Sequence, residues 1–510
     1  MHDRGHRMTT QTATRAAPRA RILPAAPPRR YLVPATLAVA FLVTSAVAQA
    51  VTPFIRQDDW PFLLPDGTQG VLPPAYYNSS EGRWLNTLWW QLIGQHGTPT
   101  TAAMTYAVGY LALVAGVWRV LHLSGVRPRP VADVLLGVAL YASSVWVQLV
   151  YWPGALTPSV LVGAAAVWLL PWAVRSRARL GLWLLVAESA AVMTYPPVGV
   201  VLLVVTVVCL RDAPWRRVLA VVVAWVAAFA VGVGISYTLN LVLNGHFGLE
   251  FPAWRQSNPL TSVGALVTNT GRWLSAVGQM WSAQWWVAAV ALVAVVLGWR
   301  DAVVRPRLQR VLLAFAVACG LDAAQTLATG IVTEARGQLW TWLLAVVPAA
   351  LLLLDRRGER HPREDAPGVR RLTTEHVATA LLAVLAVAGV LSWRSDIGAH
   401  QATRLQFAAI AEQATAHAPG TDMATVVMYQ DPALKHTRDG RLIASTLVMA
   451  VRQQTGGILP RWCRGDECAE LAARAPTGPV IRLDSPAGFS HVMGIVVPTP
   501  PLWVSAPPVG

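Results

Sequence analysis

Charged residues are scarce in this chain, and their scarcity excludes an ordinary soluble protein. Only 13% of the 510 residues are Asp, Glu, Lys or Arg, whereas 54% are hydrophobic. Soluble domains carry about 25% charged residues, and the mean hydropathy of this chain is +0.45. The composition therefore predicts an integral membrane protein.

Acidic residues are fewer than basic ones, which gives the chain a formal net charge of +15. Such an excess first suggests nucleic-acid binding. The arginines, however, occur in short runs between apolar segments, which is the distribution that the positive-inside rule produces. We therefore expect membrane lipids as partners, and no nucleic acid.

Cysteine is also rare, and four cysteines are too few for a disulfide scaffold. Cys209 and Cys319 lie within apolar segments and are interpreted as small core residues. Cys463 and Cys468 lie in a polar region and are predicted to form a disulfide, which an oxidising compartment permits. The alternative is half of a metal site, but no second Cys or His pair stands nearby.

The long apolar segments predict about eleven transmembrane helices. Residues 1–30 are expected to be a disordered, basic, cytoplasmic tail, and the first span is read as an uncleaved helix rather than a signal peptide. The basic clusters then all fall on one side of the membrane. The spans are expected near residues 31–51, 101–121, 131–151, 158–174, 180–210 (two short helices broken at prolines), 218–243, 285–299, 311–332, 338–354 and 376–393.

Three parts follow from this topology. Residues 31–393 form an all-α membrane domain with an outer loop at 52–100, and a surface helix is expected at 264–281. Residues 394–510 form a small extracytoplasmic α/β or α+β domain. The predicted location is the plasma (inner) membrane, with the N-terminus in the cytoplasm.

Two adjacent acids, Asp58 and Asp59, open the outer loop directly after the first span, and Glu81 and Arg83 follow in the same loop. Placing charged side chains at a membrane boundary costs free energy, so charged residues found there often have a function. An acidic loop that merely keeps a helix end hydrated is the simpler alternative. We favour catalysis, because a carboxylate suits proton abstraction from a hydroxyl group.

Arginine recurs at the same boundary, and lysine is absent there. Guanidinium groups bind phosphate in a bidentate manner, so Arg336, with Arg272 or Arg83, is expected to neutralise a leaving phosphate. Each has a structural alternative. Arg83 could pair with Glu81, Arg336 could pair with Glu334, which is itself a binding candidate, and Arg272 could anchor a surface helix.

Aromatic and buried polar residues complete the candidate site. Trp60 and Trp84 could stack on a sugar ring, although tryptophan also marks membrane interfaces. Glu188 lies in an apolar segment shortly before the break at Tyr195, and an acid buried in this way is a site candidate. Short broken helices at membrane depth often line a cavity.

These residues resemble the polytopic glycosyltransferases of GT-C fold, and most closely the membrane glucosyltransferases that decorate O-antigen. The resemblance rests on Asp58 and Asp59, on Gly82 and Arg83, and on the Thr194-Tyr195 break after an acid-bearing helix. It covers roughly residues 1–350. It implies a polyprenyl-phosphate-linked sugar donor, an outward-facing cavity, and a catalytic base supplied by one acid of the pair.

The resemblance also implies a hexosyl- or pentosyltransferase that acts on a glycan, lipid or protein acceptor of the cell envelope. No definite cofactor is indicated, although some GT-C enzymes use a divalent cation, which Asp58 and Asp59 could bind with help from distant residues. A transporter or flippase for a lipid-linked sugar is the main alternative, and the sequence contains no clear internal repeat of the kind such proteins have. A non-enzymatic envelope assembly protein is the third possibility.

Overall fold

The computed structural model describes residues 32–51, 54–64, 73–93, 98–251, 255–355, 368–416, 425–454, 459–483 and 492–498. The predicted disordered tail, residues 1–30, lies outside the described residues.

Most of the described chain is a bundle of α-helices that runs up to residue 416. In chain order these are α1 (Leu32–Val51), α2 (Pro74–Glu81), α3 (Trp84–Ile93), α4 (Pro99–Leu123), α5 (Pro130–Tyr141), α6 (Pro153–Ala173), α7 (Arg177–Val192), α8 (Pro196–Cys209), α9 (Trp215–Asn244), α10 (Val263–Ala283), α11 (Trp285–Arg300), α12 (Arg305–Thr329), α13 (Trp340–Leu351) and α14 (Gly368–Ala416).

Five helices in the described ranges are long and apolar enough to cross a membrane: α4, α6, α9, α12 and the Thr374–Ala414 part of α14. A sixth span results if α10 and α11, which meet at an angle of 88°, are counted as one broken crossing. By the length and composition of these helices, the prediction of a membrane protein with several spanning helices is confirmed.

Local sequence signals explain where many helices begin. Pro99, Pro130, Pro153 and Pro196 each occupy the first helical position, where the absent N–H needs no partner and the fixed backbone angle suits a helix. Thr98 adds a side-chain cap, because its hydroxyl accepts a hydrogen bond from the Thr101 N–H at 3.1 Å. The proline break predicted within 180–210 is therefore observed as the junction between α7 and α8.

Close helix packing forms the core of the bundle. Gly116 of α4 faces α6, and a Cβ atom at this position would lie 2.9 Å from Val167. Small residues at such positions let two helix backbones approach closely. Trp342 of α13 is almost fully buried, and its indole N–H donates to the Ala139 carbonyl at 2.8 Å, so even this large side chain is satisfied inside the bundle.

Three stretches differ from the predicted helix pattern. The span expected at 131–151 is shorter, because α5 ends at Tyr141 and a 3-10 helix (Trp146–Tyr151) follows. The Ser143 hydroxyl accepts hydrogen bonds from two backbone N–H groups at 3.2 Å, which starts this new turn. The loop predicted at 52–100 contains α2, α3 and a 3-10 helix (Gln57–Phe62).

The third difference concerns the end of the membrane domain. The last span was expected near residues 376–393, and the helix that contains it, α14, continues to Ala416. The predicted boundary at residue 394 therefore lies inside one continuous helix, because no proline or glycine pair interrupts the helical pattern there.

The C-terminal part contains a small mixed sheet with helices on both faces. Its strands are β1 (Thr425–Tyr429), β2 (Arg461–Trp462), β3 (Val480–Leu483) and β4 (Val492–Val496), in the spatial order β2-β1-β4-β3. Strand β1 pairs in parallel with β2 and β4, and β3 is antiparallel to β4. The helices are α15 (Pro432–Lys435), α16 (Arg438–Gln454) and α17 (Asp466–Arg474).

Alternation along β1 explains this layered packing, because successive strand residues point to opposite faces. Val426 and Met428 pack against α16 and the end of α14, while Val427 packs against Leu471 of α17. The predicted disulfide between Cys463 and Cys468 is confirmed, and it joins the end of β2 to α17.

Candidate functional site

A half-open cavity lies at the end of the bundle where α6 and α8 begin. It holds about 420 Å³ of space, its open mouth included. The lining residues come from both the helices and the segments between them: Phe62, Tyr77, Glu81, Arg83, Leu149, Trp152, Ala155, Leu156, Tyr195 and Arg336. Four of the predicted site residues, Glu81, Arg83, Tyr195 and Arg336, are thus brought together.

Gly82 sets the positions of Glu81 and Arg83. It ends α2 in a left-handed conformation with a φ of 70°, which an L side chain rarely adopts. A Cβ atom there would lie 2.3 Å from the Ser236 hydroxyl oxygen, and that hydroxyl donates to the Gly82 carbonyl at 2.8 Å. The sharp turn between α2 and α3 places both flanking side chains in the cavity wall.

Glu81 is the acid among the cavity-lining residues, and it is paired with two arginines. Its carboxylate contacts the Arg83 guanidinium at 2.9 Å and forms a second, shorter ion pair with Arg255. The ion pair with Glu81, which was the structural alternative for Arg83, is therefore present. Arg83 also lies 5.2 Å from the centre of the Tyr195 ring and lines the cavity. Two guanidinium groups and one carboxylate leave this part of the wall positively charged.

Arg336 supplies the second cationic group of the cavity. It lies in a 3-10 turn (Ala335–Gly337) between α12 and α13, and its Nε atom contacts Glu334 at 2.9 Å. Its guanidinium stands 4.0 Å above the Trp152 ring, a favourable cation–π distance. The pairing of Glu334 with Arg336 is thus observed, and it leaves the guanidinium against the cavity wall.

Tyr195 joins the two arginines. Its hydroxyl donates to the Arg336 carbonyl at 3.3 Å, and its ring lies beneath Arg83. The Tyr195 side chain is buried, and this hydrogen bond joins the start of α8 to the turn that carries Arg336.

No sequence signal pointed to Trp152 as a cavity residue, or to the group of residues that packs behind it. Arg56 also lies over the Trp152 ring, at 5.2 Å, and its Nη2 atom is 3.2 Å from the His400 ring. His400 stacks on Tyr151 at 3.7 Å, and the Tyr151 hydroxyl hydrogen-bonds to Asp396. Helix α14 thus supports the cavity wall through residues that lie more than 200 positions away in sequence.

Asp59 has a structural task in this arrangement. Its side chain is fully buried, and its two oxygens accept hydrogen bonds from the Gly154 and Ala155 N–H groups at 2.6 and 2.5 Å. It therefore caps the N-terminus of α6, where a negative charge is favourable. Asp58 belongs to the same 3-10 helix, and its side chain lies outside the described part of the structure. The catalytic role of either acid stays a prediction.

Four other candidates lie outside the cavity lining. Trp60 is buried, and the Trp84 indole donates to Asn240 of α9 at 3.1 Å. Arg272 donates to two backbone carbonyls, those of Gln256 and Gly330, which matches the anchoring alternative. The fourth candidate, Glu188, differs from these three.

Glu188 is fully buried on α7, and neither carboxylate oxygen has a hydrogen-bond partner within the described ranges. The carboxylate lies against Gly199 of α8, where a Cβ atom would be 2.5 Å from Oε2. The nearby Trp225 indole donates to the Gly199 carbonyl instead. The substrate-binding role of Glu188 stays a prediction, since the cavity wall does not include it.

Metal ligands do not converge in the part of the chain that the structure describes, where no three His, Cys, Asp or Glu side chains form a group that could hold an ion. The divalent cation suggested for Asp58 and Asp59 stays a prediction.

No family model, curated protein or solved structure matches this chain. The fold and the cavity define the protein as a helical membrane protein with a small C-terminal sheet and an arginine-rich, aromatic-walled cavity at one end of its bundle.

Proposed function

We propose that the protein transfers a sugar from a polyprenyl-phosphate-linked donor to an envelope glycan, lipid or protein acceptor. One observation carries the proposal: Arg83 and Arg336 meet in a cavity with aromatic walls, set among apolar helices. A phosphate headgroup, a sugar ring and a lipid chain would each find a suitable surface there.

In the proposed topology the short helices complete a bundle of about eleven crossings of GT-C type. The cavity then faces the extracytoplasmic side of the plasma membrane, with the N-terminus in the cytoplasm and the C-terminal domain outside. The arginine runs between spans support this orientation through the positive-inside rule.

The two arginines would bind the donor phosphate. A guanidinium has five N–H donors in a fixed planar fork, so an ion pair with Glu81 or Glu334 uses only part of its capacity. Their charge would stabilise the phosphate as it leaves, which is where negative charge develops in the reaction. Trp152 and Tyr77 offer ring faces against which the sugar could stack.

The proposed chemistry is a single displacement. A carboxylate accepts the proton of the acceptor hydroxyl, whose oxygen attacks the anomeric carbon. The bond from that carbon to the phosphate oxygen breaks, and the electron pair leaves with the lipid phosphate. We assign the base to Asp58, because both oxygens of its neighbour Asp59 accept backbone hydrogen bonds.

The test is sugar transfer in membranes from a radiolabelled polyprenyl-phosphate sugar. Arg336→Gln and Asp58→Asn are expected to reduce transfer at least 100-fold, on the order of the loss seen when one transition-state group is removed. Arg216→Gln serves as the control, since Arg216 is exposed at the start of α9. Unchanged transfer in both the Arg336→Gln and the Asp58→Asn variant, at normal protein level, contradicts the proposal.

Assays on the same membranes distinguish the alternative functions. A transporter or flippase would move the lipid-linked sugar between leaflets without forming a new glycosidic bond. A non-enzymatic assembly protein would do neither, and it would tolerate replacement of Asp58.

A further inference from the structure

A second cleft lies at the other ends of α8 and α13. Both helices begin beside the cavity described above, and their final turns reach this cleft. It holds about 240 Å³ of space, its opening included. Its wall combines three arginines with apolar side chains from α8, α12 and α13, and residues just after α4 and α8 complete it: Ser124, Val207, Val208, Arg211, Arg307, Arg310, Val311 and Leu351.

The cleft carries a net positive charge. Asp212 is the acid in contact with its arginines, and its two carboxylate oxygens lie 2.8 Å from Arg211 and 3.2 Å from Arg307. Three guanidinium groups and this one carboxylate leave a charge of about +2. Positive charges gathered in one cleft repel one another, and Asp212 offsets only one of the three.

Backbone carbonyls hold the guanidinium groups in place. Arg307 and Arg211 each donate to a carbonyl at the end of α4, those of Ser124 and Leu123, at 3.4 Å. Arg310 donates to the Arg211 carbonyl at 2.5 Å. The cluster is therefore oriented by the fold rather than free to move as separate surface side chains.

One donor of the cluster has no acceptor. The Nε atom of Arg310 is buried and has no hydrogen-bond partner within the ranges given above. Buried polar groups in proteins are almost always paired. An anion seated between the arginines would supply the acceptor.

We propose that this cleft binds a phosphate group, and specifically the headgroup phosphate of an anionic lipid. Guanidinium groups match phosphate oxygens in geometry and charge. Basic pockets between membrane helices are typical binding sites for anionic headgroups. The apolar half of the wall, with Val207, Val311 and Leu351, suits an amphiphile better than a free ion, although inorganic phosphate shares the same headgroup chemistry.

This site is independent of the proposed glycosyl transfer, since it shares no residue with the cavity. Its ligand would stabilise the bundle from the opposite end, and under the proposed topology it would come from the cytoplasmic leaflet.

The experiment uses the full-length protein in nanodiscs or detergent and native mass spectrometry to count bound lipids. Phosphatidylglycerol is titrated against phosphatidylcholine, and inorganic phosphate is added as a competitor in a separate arm. The wild type is expected to retain phosphatidylglycerol preferentially. Arg307→Gln combined with Arg310→Gln is expected to weaken this binding about 30-fold, whereas Arg216→Gln, an exposed arginine at the same end, leaves it unchanged.

Thermal unfolding without lipid checks that each variant is folded. Should the double variant unfold, Arg310→Lys takes its place, since it keeps the charge but removes the buried Nε donor, and a loss of affinity is again expected. Phosphatidylglycerol binding that is equal in the wild type and the cleft variants overturns the proposal. If millimolar inorganic phosphate displaces the lipid, the ligand of the cleft is a free phosphate ion and not a lipid headgroup.

Discussion

Replacing Asp59 by Asn tests whether this acid holds the fold or performs the chemistry. The wild-type carboxylate is fully buried and accepts two backbone N–H groups at the start of α6. Asparagine keeps one acceptor oxygen, but its amide group would face the second N–H, donor against donor. The helix end would also lose its compensating charge.

The magnitude follows from those two hydrogen bonds. A hydrogen bond to a charged group contributes about 1.5–3 kcal/mol, and an orphaned buried donor costs about 1–3 kcal/mol. We expect Asp59→Asn to destabilise the protein by about 3 kcal/mol, which lowers the unfolding temperature of a chain of this size by about 3 °C. The measurement is thermal unfolding of the purified protein in detergent.

Asp58→Asn is the matched control for this prediction, because it makes the same chemical change one residue away. It is expected to abolish sugar transfer while the unfolding temperature stays within about 1 °C of the wild type. An Asp59→Asn protein that unfolds at the wild-type temperature and has lost transfer would refute the reasoning, and it would make Asp59 the base.

Three further predictions concern the turn between α2 and α3 and the C-terminal domain. Gly82→Ala forces an L side chain into a left-handed position beside α9, so we expect a loss of about 1–3 kcal/mol in stability and a parallel fall in transfer. Cys463→Ser opens the disulfide to Cys468 and is expected to destabilise the C-terminal domain by about 2 kcal/mol, measured by denaturant unfolding. The ion pair with Arg461 lowers the pKa of Glu467. Its contribution is therefore present above the unfolded-state pKa and is lost as the pH falls through the folded-state value. Because the pair is partly exposed, Glu467→Gln should remove less than about 1 kcal/mol of acid-sensitive stability.

Local features of the fold were predictable, because they depend on neighbours in sequence. Apolar runs and proline positions gave most helix locations, and Cys463 and Cys468 are close enough in sequence for their pairing to be inferred. The length of α14 was not predictable, because hydropathy marks where apolar residues stop, at about Trp393, whereas the helix itself continues on polar residues.

The candidate site was only partly predictable, because its contacts are long-range. Charge at a membrane boundary singled out Glu81, Arg83 and Arg336, and the structure brings all three to one cavity. No local signal indicates that Asp59 caps a helix that starts 94 residues later. The role of Trp152 was also hidden, since its cationic neighbours lie on distant segments.

The length of α14 has a mechanical consequence. At 1.5 Å per residue, its 49 residues form a rod of about 74 Å that begins in the bundle and ends beneath the C-terminal sheet. Met449 of α16 is also part of the bundle's own core. A force on the sheet would therefore be transmitted along α14, and Asp396 and His400 would pass it through Tyr151 and Arg56 to the cavity wall at Trp152.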